Sequence, residues 1–287
     1  MELSALPVRV EHEAACPEVA PDLCATEELP VHVHDLLTWQ SRAELGAELG
    51  LGQGLQLGLT LPVELRVVRV EYRLLDGSPY APPYQDIHHR SERIAGLADG
   101  ELSLSRFQAF GPWTLGARLG STLPLGATQE DPYRLGELGL EHQHHQLGAG
   151  VPLLLAGAST LRRPEPWGLH GSVGARIPLV ENAKGYRAPL TAHASAGPSR
   201  KLGDQLLAQA SLGFVHEGRE AWSGRQYPGR EALLLGGGGE WSLGSDWALR
   251  VDLRGPLWQH LGHAEHGDED GELRLGPRLG LGLSWSN

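Results

Sequence analysis

Two sets of side chains in this chain of 287 residues are equipped for chemistry: its histidines and its arginine–carboxylate pairs. His32 and His34 stand two apart, as do His142 and His144, with His145 adjacent. In an extended segment, residues at i and i+2 project from one face. Each His-x-His therefore offers two imidazoles to a single ligand, a usable spacing for a transition metal. His263 and His266 lie just before Asp268, Glu269 and Asp270, which add hard oxygens, and His88 and His89 form a further pair. One expectation is thus a rim that captures Cu, Zn or Ni through His32, His34, His142, His144, His145, His263 and His266. The competing reading is that polar loops simply carry histidines. No fixed motif such as His-Glu-x-x-His is present.

The second set is Arg42, Glu44, Glu48, Glu64, Arg66, Glu101, Arg118, Arg176, Arg250, Asp252, Arg254, Arg274 and Arg278. All fall on the polar side of alternating stretches, and the two signs are interleaved. If that side is the inside of a barrel, the charges either form a salt-bridged plug or line a weakly anion-preferring conduit, because arginines outnumber acids in the set. Cys16 and Cys24, eight positions apart in a polar segment, would most simply close a small loop disulfide in an exported protein; two independent thiols are the alternative. An enzyme is not expected. Ser41, Ser121 and His216 fall on the apolar side, but nothing orients them as nucleophile and base. Gly236–Gly239 lacks a following Lys-Ser/Thr and is no phosphate loop; it suits a wall that bends or approaches a side chain closely.

The elements that position these residues are long strands. From Glu272 to the end, Leu273, Leu275, Leu279, Leu281, Leu283 and Trp285 alternate with Arg274, Gly276, Arg278, Gly280, Gly282 and Ser284. One face of such a strand is apolar and the other charged or tiny, and its length suffices to cross a bilayer at a tilt. The same pattern runs from Leu37 to Leu51 and from Leu55 to about Tyr72, with a slip at Val67-Val68 that a β-bulge would absorb. It recurs near 97–108, 113–123, 145–160, 167–179, 186–197, 205–216, 231–243 and 247–258. Short turns near 52, 111, 163, 201 and 245 alternate with longer links near 85, 135, 183, 223 and 265. Short turns on one rim and long loops on the other are the pattern of an outer-membrane barrel.

Eleven strands place the last one correctly only if one more precedes them. Residues 5–13 are the choice for it, giving an all-β, antiparallel, up-and-down transmembrane barrel of twelve strands. The organisation expected is an N-terminal segment, 1–36, followed by the barrel over 37–287, with both ends on the periplasmic side. Tryptophans beside short turns (Trp113, Trp167, Trp241, Trp247) suit an interfacial girdle. The soluble sandwich is the alternative, against which strand length argues.

Composition agrees. No apolar run long enough for a helical span exists, apolar residues make up 40%, and alternation accounts for that density. Glycine, at 39 residues, exceeds ordinary usage and suits a small-residue inner wall. The net charge of −11 argues against a nucleic-acid partner. The first residues show no signal peptide, so the expectation is a mature sequence carrying an added Met.

Three short segments carry a family resemblance. Gly96-Leu-Ala-Asp-Gly-Glu-Leu-Ser-Leu-Ser105, the stretch Trp113-Thr-Leu-Gly-Ala-Arg-Leu-Gly-Ser-Thr-Leu-Pro-Leu-Gly126, and His142-Gln-His-His-Gln-Leu-Gly-Ala-Gly150 occur in this order, after Leu57-Gly-Leu-Thr-Leu-Pro62. They resemble the corresponding segments of the phenol-degradation meta-pathway transporter-like family of outer-membrane proteins, over roughly residues 37–180. The resemblance implies a Gram-negative outer-membrane barrel, embedded in lipid, with a role in small-molecule uptake. The chain departs from that family at Leu125-Gly126, where Thr-Gly is usual, and in ending on Asn287 and not on an aromatic residue. The functional expectation is passage or capture of a small solute; the alternative is a non-conducting structural or partner-binding barrel.

Overall fold

The computed structural model describes residues 1–14, 29–84, 86–87, 90–142, 144–163, 166–261 and 272–286. Cys16, Cys24, His88, His89, His263 and His266 lie outside the described residues. In chain order the elements are β1 (Glu2–Ala14), β2 (His32–Gly52), β3 (Leu55–Leu74), β4 (Glu92–Leu97), β5 (Gly100–Phe110), β6 (Trp113–Leu123), helix α1 (Pro132–Glu137), β7 (Leu153–Arg162), β8 (Trp167–Pro178), β9 (Tyr186–Arg187), β10 (Thr191–Leu202), β11 (Leu206–Glu217), β12 (Glu220–Trp222), β13 (Arg225–Tyr227), β14 (Arg230–Ser242), β15 (Trp247–Leu261), β16 (Glu272–Leu275) and β17 (Arg278–Trp285).

The wall is antiparallel throughout. β4 with β5, and β16 with β17, each make one interrupted strand, so twelve strands close the barrel. Closure falls to β1, which pairs with β2 along its whole length and with β16 and β17 on its other edge. Pairing to both sides leaves no open edge, the condition for backbone in lipid. The first strand thus spans Glu2–Ala14, close to the expected 5–13. β2 begins at His32, so residues from 32 onward belong to the wall and the expected boundary at 36/37 is not a structural one.

Both interruptions lie opposite a proline. The Pro62 carbonyl of β3 accepts from the amide of Ala98, and the Pro7 carbonyl of β1 accepts from Gly276. A residue in an antiparallel ladder directs its N–H and C=O to the same neighbour, and proline has no N–H to give. The ladder therefore breaks where the missing donor would have pointed, and the register shifts by one: Thr60 faces Glu101, but Val63 faces Leu97. A shift of one residue exchanges the two faces.

Two expectations are corrected here, the first by that exchange. Arg274, assigned to the inner face, instead stands opposite Arg9 on the outward row, whereas Arg278 beyond the break stays inward, its guanidinium toward Glu2. At Val67-Val68 there is no bulge; β2 and β3 stay in register there and shift only at Gly50/Gly52. What changes is polarity. Lower on β3, Val63 and Leu65 face outward; higher up, Arg69, Glu71 and Arg73 do, and Val68 and Tyr72 turn inward. β2 and β3 are 21 and 20 residues long, about twice what an outer-membrane span needs. Their upper halves stand clear of the apolar band.

The outer face is greasy: Leu45, Leu49, Leu65, Leu104, Leu119, Val173, Leu212, Leu235, Leu253 and Leu281 are all exposed. Such a continuous apolar surface is a liability in water and a requirement in lipid. Trp167, Trp241, Trp247 and Trp285 ring the short-turn rim, with the Arg200 guanidinium 5.0 Å above the Trp167 ring. On the opposite rim, β9, β12 and β13 form a separate three-stranded sheet. It packs with α1 around Trp222, Tyr186, Leu153 and Ala149, a buried apolar cluster among the described residues.

Candidate functional site

The inside of the barrel is polar and asymmetric. On β7, β8, β10, β11 and β14 Gly and Ser recur on the inner face at mid-height, including Gly157, Ser159, Ser172, Gly174, Ser195, Gly197, Ser211 and Gly213. The charges gather on β2, β3, β5, β6, β8 and β15. They are organised around carboxylates, each shared by two arginines. Glu64 takes Arg42 at 2.6 Å and Arg66 at 2.9 Å; Arg42 also bonds Glu44. Glu101 takes Arg118 at 3.0 Å and also Arg176, which reaches it from β8 across two intervening strands. Asp252 lies between Arg250 and Arg254, at 3.9 and 3.4 Å.

In the last two groups the carboxylate is tucked away and the cations are not. Glu101 and Asp252 side chains are 13% exposed, against 40–47% for their four arginines. A buried carboxylate is tolerated only when paired, and two cations per anion leave each group with a net positive charge facing the lumen. Sequence reasoning missed the inward acids Glu2, Glu217 and Glu240, and Arg230, which ion-pairs with Glu217 at 2.8 Å. Their parity was readable: Glu240 lies within the stretch 231–243, and Glu217 and Arg230 directly adjoin the alternating stretches. Glu48 also faces inward, near Gly58.

Above this lies an inserted loop. Residues 124–142 and 144–152 turn into the mouth, where buried Leu147 packs against inward-facing Gly96. The Asp99 carboxylate, in the β4–β5 break, accepts from the amides of Gly126 (3.0 Å) and Ala149 (2.7 Å). Gly126 and Gly148 cross so closely that a Cβ on either would strike the other's backbone. The three segments that carry the family resemblance thus meet at one point, as a latch. Sequence reasoning quoted these residues without giving them this role.

The histidines separate into groups. His32 and His34 point inward near the top of β2; their Nε2 atoms are 2.9 Å apart, and His32 Nε2 lies 3.0 Å from the Tyr84 hydroxyl. Tyr72 and Tyr80 pack on these rings. His142 and His144 have ring centroids 5.4 Å apart, and Tyr133 packs edge-on to His144. His145 turns toward Arg66 and is half-buried; desolvation first, then that cation, pull its pKa down to about 4. Among the described residues no group of three or more His, Cys, Asp or Glu side chains is placed to hold a metal ion. Ser41 and Ser121 sit on β2 and β6, whereas His216 on β11 bonds Glu231 at 3.0 Å.

This architecture matches solved structures. An outer-membrane channel from Pseudomonas putida F1 aligns with 99% of this chain and 95% of its own, at TM-score 0.57 and 11% identity. The chain is an outer-membrane β-barrel. Lower-scoring matches to this barrel include TodX, a monoaromatic hydrocarbon channel (TM-score 0.44, 11% identity, 99% and 89% covered), and phospholipase A of the Escherichia coli outer membrane (0.34, 12%, 99% and 90%). No protein-family model and no curated protein sequence matches the barrel. Its greasy outer face suits the lipid of a Gram-negative outer membrane, and the short turns and both ends of the described wall share one rim.

Proposed function

We propose that the barrel passes small polar solutes across the outer membrane and favours anions. The observation that carries this reading is the pairing of one tucked carboxylate with two exposed arginines at Glu101 and at Asp252. A permeating anion meets guanidinium heads, and the acids that hold them stay recessed against the wall. Opposite them, the Gly and Ser wall leaves room and supplies hydroxyls to a partly dehydrated solute. The barrel inserted in a planar bilayer under a KCl gradient should show small, discrete steps and a reversal potential on the chloride side. Arg118→Gln with Arg176→Gln should move that potential toward the cation side.

A second reading is a closed barrel that serves as scaffold or partner-binding element. The inserted loop favours it, because 124–152 occupies the mouth directly above the charges. Heat-modifiable, folded protein that stays silent in the bilayer would select this reading and end the conduit one.

A further inference from the structure

We propose that the lumen holds a binding site for a small hydroxylated carboxylate, such as a sugar acid, between Arg250 and Arg254 and the Ser wall opposite. A cavity of about 280 Å³ lies inside the barrel where β15 faces β8, β10 and β11. Its lining includes Arg250, Arg254, His170, Ser172, Ser195 and Gln209. The proposal rests on the reading of a solute-accessible lumen and names the ligand class for it.

The site is built by glycines. Arg254 and Asp252 stand beside Gly236 and Gly238 of β14, the inward members of the Gly236–Gly239 run. A Cβ at Gly236 would come within 3.0 Å of the Arg254 stem and 2.9 Å of the Ser211 hydroxyl; one at Gly238 would meet the Asp252 backbone at 3.1 Å. On the other side Asp252 faces Gly280 of β17, which leaves its carboxylate equally little room for a neighbour. Glycines on both flanks let Asp252 lie flat, and Gly236 on β14 leaves room for the Arg254 stem beside Ser211 of β11; Arg250 has Gly282 on one side and Glu240 on the other. A four-glycine run inside a strand is costly in chain entropy, and here it makes a floor for two cations.

The donors are unspent. Arg250 and Arg254 approach Asp252 at 3.9 and 3.4 Å, beyond good hydrogen-bond range, and make no hydrogen bond among the described residues. The His170 Nδ1 likewise has no partner there. Two guanidinium forks with free N–H groups suit a carboxylate. Ser172 and Ser195, hydrogen-bonded to each other at 2.9 Å, and Gln209 provide a row that both donates and accepts. That row suits hydroxyls better than an aromatic ring, because almost nothing apolar lines this side. The volume accommodates a single six-carbon acid.

Equilibrium titration of glucuronate into the detergent-folded barrel, followed calorimetrically, tests this independently of conduction. Saturable binding is expected, weakened at least tenfold in Arg250→Gln/Arg254→Gln and tightened several-fold in Asp252→Asn, which removes the competing carboxylate without removing a donor. Glucose, lacking the charge, should bind at least tenfold more weakly than glucuronate, and so should benzoate, lacking the hydroxyls. No saturable binding by protein shown to be folded, or affinities unchanged across both variants, would overturn the site. Benzoate binding as tightly as glucuronate would overturn the ligand class. A silent bilayer combined with normal titration would reject the conduit and leave the site standing.

Discussion

At the scale of single residues, Asp99 does more than any charge picked out by alternation. Its two oxygens take two amides, from Gly126 and Ala149, that are 23 residues apart from each other and lie on opposite arms of one loop. Hydrogen bonds to a charged acceptor contribute about 1.5–3 kcal/mol each, so the pair is worth a few kcal/mol of loop order. Asp99→Ala should leave the barrel folded, since neighbouring strands hold the wall, and should free the loop. Protection of residues 124–152 against proteolysis should fall, and unit conductance should rise with more flicker. A variant with wild-type loop protection would show that Leu147 and the cap hold the loop without the carboxylate. Nothing near Asp99 in sequence reveals this role, because both its partners come from beyond the next strand.

At the scale of elements, the cap formed by α1, β9, β12 and β13 concentrates the buried aromatic residues. Trp222 is 2% exposed and lies 4.7 Å from Tyr186 between ring centroids; Tyr133 stacks on Tyr227 at 3.9 Å. Helix α1 is oriented by its N-cap, Asp131, which accepts from the amides of Tyr133 and Arg134 and from the Ser223 hydroxyl on the β12–β13 turn. Glu220, inside the cap, is pushed from an ordinary 4.5 up to about 7, by burial above all and by Glu217, against the pull of the Tyr186 hydroxyl. A carboxyl raised in the folded state stabilises it below its unfolded pKa, and that stability is lost as pH rises through the folded value. The cap should therefore show lower amide protection factors over 218–229, that is, exchange rates divided by the base-catalysed rate of the unfolded chain, at pH 8.5 than at pH 5, and Glu220→Gln should flatten the difference. An unchanged slope in that variant would assign the titration elsewhere. The cap also marks the limit of sequence reading. Wall strands were legible because their period of two is local, and short turns stood out by Gly and Pro. The inner assignment of Arg274 failed because the break at Gly276-Pro277 depends on Pro7, at the other end of the chain. Strands of two or three residues carry no period at all, so β12 and β13 were read as loop, β9 as the start of the wall strand that follows it, and 145–152 as strand.

At the scale of the whole molecule, the barrel is a protein turned inside out, and adjacent residues on one strand make the point testable. Arg118 and Leu119 sit mid-way along β6, the first inward with Glu101, the second outward and 60% exposed. Water-soluble folds would bury the leucine and expose the arginine; here lipid replaces water outside, and water replaces the core inside. Leu119→Arg should cost about 2–4 kcal/mol at the bilayer midplane, read as a lower denaturant midpoint for unfolding from lipid vesicles. Arg118→Leu should cost less, because Glu101 keeps Arg176, and its main effect should fall on ion preference. The energetic reason for the asymmetry is that the lumen charge is one of three in a shared cluster, whereas a charge placed on the outer wall has only hydrocarbon to meet. Equal costs for the two substitutions would mean that the outer face is not lipid-facing at this height. The band of apolar exposure and the rim of tryptophans would then need a protein partner, not a membrane, to cover them.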